Sequence, residues 1–180
     1  MTFDYEQRSI VMQSALAVLL CAVVLGGGYL CIPPELVGVP TPMALEDRLG
    51  FALKWDLLIL FWLAGSVGAV SQKRFWHPAD RHGSAYSEPS PALAVCQANL
   101  QNTLEQAVLA LSAHLILATV LLERELVLIP LLVMVFLVGR ATFAIGYAKN
   151  PIARAFGMAV TGAPTGFAYV LAASLIMAGR

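Results

Sequence analysis

From Ile10 to Ile32 the chain carries no charged residue, and Pro33-Pro34 closes the run. A stretch of that length is long enough to cross the hydrocarbon core of a bilayer as a helix. Inside a bilayer every backbone N–H needs a partner within its own segment, so such a run has few folds open to it besides a helix. Four further segments repeat the pattern. Residues 51–74 contain the charge-free centre LLILFWLAGSVGAV, although Lys54 and Asp56 lie in the first turns and make this span the marginal one. Trp55 and Trp76 would stand about 31 Å apart on a helix, the separation of two aromatic belts. The remaining spans are 91–122, apolar after Leu104, then 126–148 and 155–178. Composition agrees, with 59% hydrophobic and 12% charged residues against about 25% charged in soluble domains. The fold class is an all-α integral membrane protein with five spans and no aqueous domain.

The formal net charge is zero, which argues against a nucleic-acid partner. Membrane lipids are the expected surroundings. Basic residues gather in two connections, Lys73, Arg74 and Arg81 in one, Lys149 and Arg154 in the other. By the positive-inside rule those connections and the N-terminus face the cytoplasm. The start MTFDYEQRS, with Asp4 and Glu6 beside Arg8, does not read as a signal peptide. Short loops and the lack of a targeting segment favour a bacterial inner membrane.

Cys21, Cys31 and Cys96 form no metal-binding spacing and read as small apolar residues. His77, Asp80 and His82 fit no standard metal pattern and read as a solvated loop, so no metal is expected. The pairs Ala64/Gly68 and Gly162/Gly166 are small-residue packing cues, and Pro164 should kink the last span.

The informative residues are ionisable and lie within spans, where a charge costs several kcal/mol and marks either function or a partner. Glu105 lies about 26 Å, and Arg140 about 21 Å, below the surface that holds the turn joining their helices. The two are therefore expected to meet, within one subunit or across a subunit interface. Asn102 shares one side of its helix with Glu105, and Tyr147 follows Arg140 by two turns on nearly the same face. Arg154 opens the last span at the same end. Asn102, Glu105, Arg140, Tyr147 and Arg154 can thus line one polar recess. His114 falls on the opposite face and reads as a packing histidine. The recess stops about halfway, which disfavours a channel. Its arginines suit a small ligand carrying carboxylates. The alternative is a structural Glu105–Arg140 ion pair that orients two helices.

The segments QKRFWHPADRHG, NTLEQ and FLVGRATFAIGYAKNPIAR, followed by a final apolar helix, resemble the MAPEG family, the membrane-associated proteins in eicosanoid and glutathione metabolism. The resemblance covers roughly residues 53–178. It implies a four-helix transmembrane bundle over 51–180, preceded in 1–50 by one additional N-terminal transmembrane helix (about 10–32) and an outer loop. It implies a homotrimer with glutathione as co-substrate, bound between subunits at the cytoplasmic side. Asn102, Glu105, Arg140 and Tyr147 would bind glutathione. Arg154 would be catalytic, stabilising the thiolate. The activity would be that of a transferase or peroxidase acting on a lipophilic small molecule. Ala98 and Gln101 stand where catalytic members carry arginines, and Ala155, Met158 and Phe143 also depart from the pattern. A non-catalytic member that binds a lipid or a partner protein therefore stays open beside the enzyme.

Overall fold

The computed structural model describes residues 4–39 and 44–180; part of the expected outer loop, 40–43, lies outside the described residues. Five long helices form: α1 (Tyr5–Cys31), α2 (Leu45–Trp76), α3 (Pro91–Val120), α4 (Leu128–Lys149) and α5 (Ala155–Met177). All five are long and apolar enough to cross a membrane. The protein is a multi-pass, all-helical integral membrane protein. Connections are short, so successive helices run antiparallel. One face of the bundle gathers the connections 77–90 and 149–154 and is called the basic end here. The other gathers Leu121–Val127 and the residues after Cys31.

Local chemistry explains most boundaries. Asp4 caps α1 by accepting from the backbone N–H of Gln7 at 2.7 Å, and the Gln7 side chain accepts in return from Asp4. Ser90 caps α3, with Pro91 in the first helical position. Asp80 makes that cap rigid. Its carboxylate accepts from the Ser90 backbone N–H and hydroxyl, both at 2.8 Å, and is 1% exposed. The connection expected to be solvated is thus locked at Asp80. The second span is also longer than expected, because α2 begins at Leu45. The reason is Arg48, whose Nη2 donates to the Leu121 carbonyl at 2.6 Å and whose Nη1 reaches that of Thr119. A cation there satisfies the free carbonyls and the negative end of α3.

From Ala15 to Gly28 helix α1 is apolar all round, but it buries only Ala17, Cys21 and Leu25, one residue per turn. That stripe rests on α5 and α4, and the rest of α1 faces outward. Lipid tails are as apolar as the helix, so close packing rather than the hydrophobic effect holds it. One polar contact marks the place. Pro164 lies inside α5 and has no N–H to give the carbonyl of Val160, one turn earlier. The Cys21 thiol donates to that carbonyl at 3.8 Å. Cys21 is buried, as expected, and also supplies the donor that Pro164 lacks.

The small-residue cues need correction. Cβ atoms at Gly68 and Gly166 would meet nothing within 4 Å, and one at Gly162 would only touch Gln106 Oε1 at 3.8 Å. The close approach lies between α4 and α5. A side chain at Gly157 would collide with the Phe143 backbone, and one at Gly146 with the Ala153 carbonyl.

Candidate functional site

The glycine contacts press the start of α5 against the end of α4, and the turn between them follows from Asn150-Pro151. The Asn150 side chain accepts from the Ile152 N–H at 2.8 Å, and its carbonyl accepts from Ala153. A short tight-helical turn, Ile152–Arg154, results. It folds Arg154 back over α4, with its guanidinium carbon 4.5 Å from the centre of the Tyr147 ring. Tyr147 in turn packs on Phe143, with ring centres 5.7 Å apart. Phe143 carries Arg140, whose guanidinium carbon lies 4.1 Å from its ring centre. Arg140, Phe143, Tyr147 and Arg154 thus form a continuous cation–aromatic ladder. It runs from the buried interior to the exposed basic end, and each arginine gains from a ring face.

Phe143 is the member that the sequence alone undervalued. Its spacing from Arg140, three positions on one helix face, was the available signal.

Across from the ladder, α3 contributes Asn102. Its side-chain oxygen accepts from Arg140 Nη1 at 2.8 Å. Arg140 is fully buried, and its Nε and Nη2 have no hydrogen-bond partner among the described residues. Asn99 Oδ1, Thr103 Oγ1 and Gln106 Oε1 are likewise buried and unpaired. The expected meeting of Glu105 with Arg140 is not made within this chain. Glu105 is exposed and accepts from Gln101 at 2.9 Å. Three residues on a helix rotate by about 300°, so Asn102 can face α4 while Glu105 points out of the bundle. The structure therefore joins Asn102 to Arg140 and Tyr147 to Arg154, links the two pairs through Phe143, and leaves Glu105 on the outer face.

A second ionisable group lies nearer the other end. Asp56 of α2 and His114 of α3 meet at 2.6 Å, 0% and 2% exposed. Asp56 Oδ2 has no further partner. The histidine has a packing role on the face away from Glu105, as expected. The carboxylate that made the second span marginal is its partner, which the sequence reading missed. Between this pair and the Arg140 group lies an apolar layer of Ile59, Ala107, Ala110, Val133 and Phe136. The two polar groups are separate and do not form a path across the membrane.

A model of the MAPEG family matches residues 50–174. The chain belongs to the MAPEG family. No curated protein and no solved structure matches it. The match spans α2 to α5 and includes the whole ladder, so the site lies in the MAPEG domain. Helix α1 lies before the matched residues.

Proposed function

We propose that this MAPEG protein is a glutathione-dependent transferase or peroxidase acting on lipophilic electrophiles or hydroperoxides. It would work as a homotrimer with its basic end toward the cytoplasm. The observation that carries this reading is the condition of Arg140. A guanidinium fully buried in a membrane bundle has one bond, to a neutral amide, and two nitrogens unpartnered. A buried cation of that kind calls for an anion. A glutathione carboxylate would supply two acceptor oxygens to the free nitrogens. Asn102 would keep its bond and hold the guanidinium plane.

Glu105 supports the trimer. A carboxylate directed at lipid is costly, whereas on a face covered by a neighbouring copy it could accept from the glutathione ammonium. Arg154 is exposed at the basic end, steadied by Tyr147. A cation beside the glutathione thiol favours the thiolate, and its proton leaves to solvent. The thiolate then attacks the electrophilic carbon of an aryl halide, forms the C–S bond and expels halide. Apolar substrates would arrive through the lipid, where they concentrate.

One observation favours a second reading. Arg140 is 0% exposed within the chain, and Ala98 and Gln101 add no cation. A non-catalytic member, in which Arg140 joins α3 and α4 through Asn102 and takes no ligand, matches that closure. Conjugation of glutathione to a generic aryl halide distinguishes the two. The enzyme reading expects turnover in wild type and a loss of about 2.7–4 kcal/mol of transition-state stabilisation in Arg154→Ala, with the same oligomer in detergent. No turnover with any electrophile, together with no glutathione binding, selects the second reading. Full turnover in Arg154→Ala removes that residue from the mechanism.

A further inference from the structure

Helix α1 adds a feature that α2–α5 alone do not have. Between α1 and α5, toward the end away from the ladder, lies a cavity of about 470 Å³ that is open on one side. It falls within the roughly 300–1,000 Å³ usual for ligand sites. Cys21 and Gly26 of α1 and Pro164 and Phe167 of α5 are among its walls, and its lining is overwhelmingly apolar. The end of the cavity furthest from the basic end, taken as its mouth, differs. Tyr29, near the end of α1, and Glu125, in the turn before α4, line it, and Glu125 Oε2 is paired with Arg180 Nη1 at 2.7 Å.

The glycine run GGGYL explains how the space is kept. Gly28 is needed for packing, since a Cβ there would crowd the Leu131 side chain at 2.7 Å. Gly26 is not, because a Cβ there would meet nothing within 4 Å. A glycine inside a helix costs about 1 kcal/mol relative to alanine. Gly26 lines the cavity, so a larger side chain there would take up space beside it.

We propose that this groove holds one acyl chain of a phospholipid whose headgroup carries a phosphate and a primary ammonium. The chain lies along Gly26 and Pro164, between α1 and α5. The headgroup sits at the Glu125–Arg180 pair. Arg180 uses one of its donors on Glu125 and has others for phosphate oxygens. Glu125 Oε2 also accepts from the Leu122 backbone, which leaves Oε1 for the ammonium. A zwitterionic headgroup matches the Glu125–Arg180 pair, one anion beside one cation, and an anionic headgroup satisfies only half of it. The Tyr29 ring borders the same mouth, where its hydroxyl can donate to an ester carbonyl. The site is independent of the Arg140 ladder, so it stands whether or not glutathione binds.

The test uses the full chain reconstituted in phosphatidylcholine vesicles. These contain a trace of phosphatidylethanolamine with a diazirine in its acyl chain, and cross-links are mapped by mass spectrometry. Label should concentrate on peptides covering 18–29 and 163–175. It should fall about tenfold or more in Gly26→Leu, which fills the groove. It should fall several-fold in Arg180→Gln, an exposed change that leaves the packing intact. A phosphatidylglycerol analogue with the same diazirine should label the groove less. Equal labelling of every outward helix face, with no response to Gly26→Leu, would overturn the proposal. So would groove labelling that ignores the headgroup and Arg180, or cross-links there to a second copy of the chain. Should Gly26→Leu fail to assemble, Ala163→Leu fills the same space from α5 and carries the same expectation.

Discussion

Among the described residues of the spans, Asp56 with His114 and Arg140 with its neighbours are buried ionisable groups, and they are built differently. Asp56 and His114 are hydrogen-bonded to each other at 2.6 Å across α2 and α3, with apolar residues on the ladder side. Arg140 has a neutral amide and a ring face, with two nitrogens unused. In the first arrangement an ionisable group faces an ionisable partner, and the contact fastens two helices. The second is open in the chemical sense, since its charge has no counterion among the described residues. In a membrane, where an uncompensated charge is costly, the open group is the one that implies a ligand or a neighbouring copy.

The largest expected effect tests the first arrangement. His114→Leu leaves Asp56 buried without a counterpart and should destabilise the protein by about 3–5 kcal/mol, read as a fall in the thermal midpoint in detergent. Replacing both Asp56 and His114 by leucine should recover most of that loss, because a buried pair is often matched by apolar residues of similar volume. A double variant as unstable as the single one would mean that the pair does more than fasten helices.

A smaller effect comes from a satisfied carboxylate outside the spans. Ser90's backbone N–H, then its hydroxyl, hold the Asp80 carboxyl below the usual carboxylate range. A depressed folded-state value means that the contact contributes its stability above the unfolded value of about 3.9. It is lost as pH falls through the lower folded value. Ser90→Ala removes a helix cap as well and should cost about 1 kcal/mol. Hydrogen exchange at the first turn of α3 should quicken in this variant at neutral pH, and in wild type only under strong acid. Exchange unchanged in both cases would show that the Asp80–Ser90 contact does not hold the start of α3.

The smallest expected change is the most telling. Arg140→Met keeps the volume but removes the charge. If Arg140 serves a ligand, the empty protein should be about as stable as wild type or slightly more so. A marked loss of stability and of the oligomer would place Arg140 with Asp56–His114 as a structural group.

The five spans were legible because uncharged runs and breakers are local signals, as Pro33-Pro34 shows. The value of Arg140 was legible too, since any guanidinium at that depth needs an account. Its partner was not. Depth placed Glu105 within reach, but the rotational setting of α3 decided for Asn102, and rotation depends on packing across the whole bundle. The same reason hid Asp56–His114. Asp56 near the start of a span looked like a weakness in that span until α3 presented His114 to it. Phe143 read only as a departure from the family pattern, and is the ring that joins Arg140 to Tyr147 and so to Arg154.

Calorimetric titration of glutathione into the detergent-solubilised protein, wild type beside Arg140→Met, tests the central claim most directly. Saturable binding in wild type and a loss of about tenfold or more in the variant is the predicted result. Equal affinity in the two proteins, or no binding in wild type, would contradict it.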